Sequence, residues 1–230
     1  MGRVPPEIPK TNVTVLIPRV LIACEYSGVV RDAFAKQGFN AWSCDILACE
    51  RGGKHLKTDV RNVLGGSWDL IIAFPPCTYL CQTAYTRMVR KTKVTGFEWD
   101  KRKRKYINRD REAKMAKAAE LFRDILNANC PRIAVENPKP QAMSIFLIGE
   151  RPKQAIQPWQ VGDSYTKATY LWLRGLPPLV PNVVNKPLGT DSRRIMSVKN
   201  NLRRSIERSR TPEGLAGAMA HQWGKLLRQS

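Results

Sequence analysis

The chain has 230 residues, 43% of them hydrophobic, which is enough for one folded domain with a sizeable core. Lysine and arginine number 39 against 19 aspartates and glutamates, a formal net charge of +20. That excess excludes an acid-rich, self-solvating chain and points to a polyanionic partner, most simply nucleic acid, although ribosomal and architectural proteins share it.

Residues 1–18 are proline-rich and read as a tail. The apolar run Arg19–Cys24 predicts a first strand, and Glu25-Tyr26-Ser27-Gly28 a turn into a helix over Val29–Lys36 that Gly38 ends. Phe39–Asp45 predicts a second strand closing on an acid. Asp69–Phe74 predicts a third, stopped by Pro75-Pro76, with Asp59 in its approach. Residues 87–117 hold 13 basic and 4 acidic residues, a net of +9, including the run Lys101-Arg102-Lys103-Arg104-Lys105. Asp110–Asn127 carries Met115, Ala118, Phe122, Ile125 and Leu126 at the spacing of one helix face. Arg132–Val135 predicts a fourth strand ending at Glu136-Asn137-Pro138, and Thr169–Leu173 a later one. Thr211-Pro212-Glu213 reads as a helix start, a capping hydroxyl followed by proline in the first turn, with Leu215, Met219, Trp223 and Leu226 along one face. Strands alternating with helices predict an α/β fold, a parallel sheet with helices on both faces.

Six cysteines include no CxxC pair, and histidines number two, so no structural zinc or other metal is expected. The cysteines lie mostly in apolar segments, which suits free thiols in a reducing cytoplasm. Pro18 and Arg19 interrupt the only apolar run near the start, and no segment has the length of a membrane span. The expectation is therefore a cytoplasmic protein with no membrane contact.

In an open α/β sheet, ligands bind beyond the carboxyl ends of the strands, and the notable residues fall there. Gly28 suits a tight turn that lets backbone approach a cofactor, and an ordinary strand-to-helix turn would look the same. Asp45, about 20 residues past the first strand, is placed to accept from ribose hydroxyls, or to cap a helix or meet solvent. Cys77 follows a buried strand and two prolines that fix its position; a thiolate there can attack carbon-6 of a pyrimidine, and nearby positive charge would favour it. Glu136 can bond the ring N3 and exocyclic amine of cytosine, stabilising the electron-rich ring that sulfur addition creates. Either residue alone could be structural. Together, each at a strand end, they favour paired chemistry.

With these residues the sequence resembles the DNA cytosine-5 methyltransferases, especially small members of phage type, over most of residues 20–225. Cys24–Gly28 is similar to the family's first cofactor motif. Asp69-Leu70-Ile71-Ile72-Ala73-Phe74-Pro75-Pro76-Cys77 resembles the nucleophile motif and is the most specific match. Val135-Glu136-Asn137 resembles the base-binding motif, and Thr211–Trp223 the closing one. The resemblance implies a Rossmann-like class I methyltransferase sheet and S-adenosylmethionine as cofactor. It implies that Tyr26, Ser27, Gly28, Asp45, Ile46, Asp59, Val60 and Pro75 hold that cofactor. It further implies that Cys77, Glu136, Asn137 and Lys167 act on a cytosine flipped from duplex DNA. Thr78 and Pro138 stand where glutamine and valine are usual, and Lys167 and Thr169 where two arginines are usual.

The implied organisation is a core over 19–173 containing the basic insert 87–117, a reduced recognition segment over 174–208, and a C-terminal helix over 209–230 that returns to the core. Arg87, Arg90, Lys91 and Lys101, Arg102, Lys103, Arg104 and Lys105 are expected to grip phosphates, with Phe97, Trp99 or Tyr106 available to stack or wedge. A solvated loop would have the same composition. Two rival functions remain: the same chemistry on a free deoxycytidine nucleotide or on single strands, and a DNA-binding regulator on an inactive scaffold. Host-DNA marking and protection from restriction both fit the first reading.

Overall fold

A computed structural model describes residues 16–188 and 210–229. Residues 1–15 of the expected tail, and 189–208 of the expected recognition segment, lie outside the described residues.

A seven-stranded sheet forms the centre. Its strands are β1 (Arg19–Ala23), β2 (Asn40–Asp45), β3 (His55–Lys57), β4 (Leu70–Ala73), β8 (Ile133–Pro138), β9 (Gln154–Ile156) and β10 (Thr169–Arg174), in the order β3-β2-β1-β4-β8-β10-β9. β3 through β8 run parallel, while β10 is antiparallel to both its neighbours. The sheet is thus Rossmann-like, as the class I methyltransferase resemblance implies, and parallel except at that edge. The order reverses between β1 and β4, which opens a crevice at their carboxyl ends. Because β10 runs backwards, its amino end reaches that same edge.

The strands read as apolar runs because both sheet faces are covered. On one face Val20, Ile22, Leu70 and Ile72 pack against α1 (Val29–Lys36) and α5 (Glu213–Leu227), through Phe34, Met219 and Trp223. On the other, Leu21, Ala23, Ile71 and Val135 pack against α3 (Arg109–Leu126) and α4 (Ala142–Ile148), through Met115, Phe122 and Ile125. Among the described residues no helix is long and apolar enough to cross a membrane.

Three local readings change. β8 continues through Glu136, Asn137 and Pro138, which belong to the strand instead of a loop after it, because Thr169, Tyr170 and Leu171 of β10 pair with them. The cap of α5 is not Thr211: Pro212 occupies the N-cap with no side-chain bond, and the carboxylate of Asp163 accepts from Gly214 N at 3.3 Å. A proline offers no acceptor, so a residue from a distant turn supplies it. The basic insert is folded: after α2 (Gln82–Met88) it forms a second, three-stranded antiparallel sheet of β5 (Val89–Arg90), β6 (Glu98–Asp100) and β7 (Lys105–Ile107), in the order β5-β7-β6.

Candidate active site

A cavity of about 900 Å³ opens at the carboxyl edge of the sheet, near the upper end of the range for ligand pockets, roughly 300–1,000 Å³. Each strand end delivers residues to it. Cys24–Ser27 come from β1, Asp45–Leu47 from β2, Thr58–Val60 from β3, Phe74–Thr78 from β4, Glu136 and Pro138 from β8, and Lys167 from the lead into β10. Asp59, in the approach to β4, also lies just past the end of the three-residue β3.

One half of the cavity is acidic and apolar. Asp45 spends one carboxylate oxygen on Leu47 N at 2.9 Å, and burial raises its carboxyl above the usual range. Asp59 caps the following 3-10 turn by accepting from Arg61 N at 2.9 Å. Ile46 and Leu47 stand exposed on the wall, 70% and 53%, with buried Val60 nearby, so a flat ligand could shelter them. Glu25 was missed by sequence reasoning. Its buried carboxylate accepts from Val30 N at 2.7 Å and Arg31 N at 3.3 Å, occupying the first turn of α1. Burial raises this carboxyl above the usual range, and it takes up the N–H groups that dinucleotide-binding folds offer to a pyrophosphate. No residue-type pattern reveals this, because the acceptor precedes its donors by a full turn.

The other half holds the reactive groups. Pro75 is buried and both prolines are trans, and the chain then makes a helical turn in which Cys77 O accepts from Leu80 N and Cys81 N. This turn aims both Cys77 and Cys81 at the cavity. The Cys77 thiol is pushed up, first by its hydrogen bond to Cys81 and then by burial, with Glu136 adding to it and Lys167 opposing. Cys81 is pushed down, first by that same bond, and it also meets the Thr83 hydroxyl at 3.1 Å. Elsewhere, burial and Asp45 push Cys24 up to about 12 and Cys44 up to about 11, which keeps both as thiols. Burial raises the Glu136 carboxyl, against Lys167 and the Thr169 hydroxyl, so it tends to keep its proton.

No family model matches the chain, and no curated protein matches it by sequence. Among solved structures it is similar to a protein described as a DNA modification methyltransferase encoded within an E. coli prophage, at 12% identity and a TM-score of 0.43, covering 74% of this chain and 52% of that one. It is also similar to the Entamoeba histolytica methyltransferase EhMeth, at 12% identity and a TM-score of 0.41, covering 75% and 57%. The chain thus spans about half the length of the solved structures it matches.

Of the residues expected at the site, the cavity brings together Cys77, Glu136, Lys167, Tyr26, Ser27, Asp45, Ile46, Asp59, Val60, Pro75 and Arg87. Of the residues expected to act on the base or hold the cofactor, two are not on its wall. Gly28 has φ 73, and a Cβ there would lie 2.6 Å from Arg31 Nη2; its role is to let the turn pass over a buried arginine. Asn137 alternates with Glu136 along β8, is buried to 1% exposure, and has neither amide atom bonded among the described residues.

The other residues expected to grip phosphates, Arg90, Lys91 and Lys101–Lys105, do not line the cavity. Lys101–Arg104 form the exposed loop of the β6–β7 hairpin, with Arg104 at φ 50, and β7 is tied to α2 by Lys105 Nζ donating to the Tyr85 hydroxyl at 3.1 Å. α2 in turn places Thr83, Ala84 and Arg87 on the cavity wall. The insert's four acids are all engaged locally. Arg109 pairs with Glu98, Asp100 and Glu112, Lys103 with Glu112, and Lys114 with Asp110. Lys101, Arg102 and Arg104 have no ion pair among the described residues, Arg90 stacks over Phe97 at 5.5 Å, and Lys91 is exposed. Trp99 is 49% exposed and meets Tyr106 edge-on at 5.0 Å.

Proposed function

We propose that this protein transfers a methyl group from S-adenosylmethionine to carbon-5 of cytosine in DNA through a covalent adduct on Cys77. The observation that carries the reading is the meeting of Cys77 and Glu136 across one cavity, with Lys167 acting electrostatically on both. The acidic half of the cavity fits the cofactor. Glu25, Asp45 and Asp59 suit a cationic sulfonium with ribose hydroxyls and an adenine amine, and the carboxylate already seated at α1 opposes a pyrophosphate. Asp45 would hold the ribose, Asp59 the adenine amine, and Ile46 with Val60 the adenine faces. When bound, the cofactor supplies an electrophilic methyl group.

The chain's own residues do the rest. Cys77 sulfur bonds to carbon-6, and the electron pair of the 5,6 double bond moves into the ring. Glu136, held toward its protonated form, gives N3 the proton that stabilises the ring. Carbon-5 is then the nucleophile. It takes the methyl group; a base, with water as the carrier, then removes the carbon-5 proton, that C–H pair re-forms the 5,6 double bond as the Cys77 sulfur leaves with the C–S pair, and N3 returns its proton to Glu136. The hairpin over α2 would lie along the phosphates while the target base leaves the helix.

The test is trapping on DNA containing 5-fluorocytosine, whose fluorine cannot leave as a proton does. With S-adenosylmethionine present, the wild-type protein should give a complex that survives denaturing electrophoresis, and Cys77→Ser should not. An adduct formed by Cys77→Ser at the wild-type rate would remove Cys77 as nucleophile. A wild-type adduct on free nucleotide or single strands, with none on duplex, would move the substrate to those forms.

A further inference from the structure

We propose that Gln157 is a positioning residue for Lys167: its side-chain carbonyl fixes the backbone from which that lysine enters the cavity it shares with Cys77 and Glu136. This rests on the methyl-transfer reading for what Lys167 serves, but not for how Lys167 is held. Lys167 stands two residues ahead of β10, where the ladder with β9 has already ended at the pair of Thr169 with Ile156. Side chains hold it there instead. Lys167 N donates to Gln157 Oε1 at 3.1 Å, and Lys167 O accepts from the Thr169 hydroxyl at 3.2 Å.

Gln157 is braced in its turn. It leads into a 3-10 turn over Pro158–Val161, where its N donates to Gln160 Oε1 at 2.7 Å and its O accepts from Gln160 N at 2.9 Å. With both backbone groups closed onto the turn, the Gln157 side chain reaches across to Lys167. The same turn anchors a second stretch of chain: Gln160 O accepts from Asn182 N at 3.0 Å and Val183 N at 3.1 Å. Asn182 and Val183 fall in the expected recognition segment, so that segment and Lys167 hang from one turn of four residues. Position matters here because a lysine ammonium is a point charge on a flexible four-carbon stem, and where its backbone starts decides which groups it meets. Lys167 lines the cavity with Cys77 and Glu136 and favours charge on both. Without the Gln157 acceptor the Lys167 N–H loses its partner and the stem is free to shift, and a displacement of about 1 Å can cost roughly a hundredfold in rate. Gln157 acts through Lys167 and does not touch the base.

The experiment reads the charge that Lys167 places at Cys77, on the full chain without DNA or cofactor. Iodoacetate is an anion and iodoacetamide is neutral, yet both alkylate the same thiolate. The ratio of their rates at Cys77, mapped by mass spectrometry, therefore cancels the thiol's own ionisation and reports the local positive potential. Lys167→Met should lower that ratio by about three- to tenfold. Gln157→Met keeps the side-chain length and removes the acceptor, and it should lower the ratio by about twofold or more. Combined with Lys167→Met it should lower the ratio no further, because its effect passes through the lysine. A merely structural role would change both rates alike and leave the ratio where it was. Gln160→Met removes the brace on Gln157 N and should move the ratio in the same direction; it takes the place of Gln157→Met if that variant does not fold. The inference is overturned by a ratio that Lys167→Met or the glutamine variant leaves at the wild-type value, or by one that falls further when the two changes are combined. Trapping on 5-fluorocytosine DNA separates it from the function. Ratios that move as expected, with no wild-type DNA adduct, support Gln157 and sink the methyl-transfer reading. A DNA adduct with an unmoved ratio does the reverse.

Discussion

The hairpin makes a quantitative prediction about DNA binding. The five cations of the run Lys101–Lys105 are not equivalent. Lys103 is committed to Glu112 at 2.7 Å and Lys105 to the Tyr85 hydroxyl at 3.1 Å, whereas Lys101, Arg102 and Arg104 are exposed and have no ion pair among the described residues. Each phosphate contact on duplex DNA contributes about 0.9 to the slope of log K against log salt, so replacing those three by glutamine should flatten the slope by about 2.7. Over a rise from about 50 to 200 mM salt, that is roughly fortyfold less loss of affinity. Replacing Lys103 and Lys105 instead should change the slope by less than about one. Fluorescence anisotropy of a labelled duplex titrated at several salt concentrations measures both. The triple variant should melt like the wild type, because the changed side chains are exposed. An unchanged slope in the triple variant, or a larger effect from Lys103 and Lys105, would show that the hairpin loop does not meet the backbone.

Two further predictions concern the cavity. Asp45→Asn and Asp59→Asn keep an acceptor for Leu47 N and Arg61 N, so the turns should survive; each should weaken S-adenosylmethionine binding by about 1–3 kcal/mol, about ten- to a hundredfold, by calorimetric titration, and unchanged affinity in both would remove them from the cofactor site. Glu136→Gln should abolish turnover yet raise the melting temperature at pH 8 and not at pH 4. Burial holds the folded carboxyl above its unfolded value, so its stability contribution is complete below the unfolded range and is lost as pH rises through the folded one. An equal change at both pH values would mean that Glu136 is not desolvated.

Much of this was legible because the physics behind it is local. Helix α1 begins and ends where expected, between Gly28 at φ 73 and Gly38 at φ 84, since both turns need a conformation that other residues resist. β1 and β4 read as unbroken apolar runs because helices cover both faces of the sheet. What escaped was short or long-range. β3 is three residues, His55–Lys57, polar in composition and made a strand by pairing with β2. The strands of the insert are two or three residues each, too short for alternation to show, and their composition suggests a loop. Pro138 looked like a strand stop, yet β8 runs to it because β10 supplies an antiparallel partner there.

The site shows the same division, with one difference. Which strand ends carry functional groups could be read from the order of elements alone, because an open sheet puts its crevice at the carboxyl edge. Which side chains turn into that crevice follows from period and pairing. Once Glu136 is inside a strand, alternation sends Asn137 to the other face, whatever its neighbourhood in sequence. Once Cys77 opens a turn whose carbonyl accepts from Leu80 N and Cys81 N, both cysteines come to line the cavity. The same turn leads into α2, which puts Thr83, Ala84 and Arg87 on the cavity wall and carries the basic hairpin through Tyr85. The insert therefore follows the Cys77 turn in space as well as in sequence. A single seven-residue helix, on the cavity wall along one side and bonded to the hairpin through Tyr85, joins the groups expected to meet the base to those expected to meet the polymer.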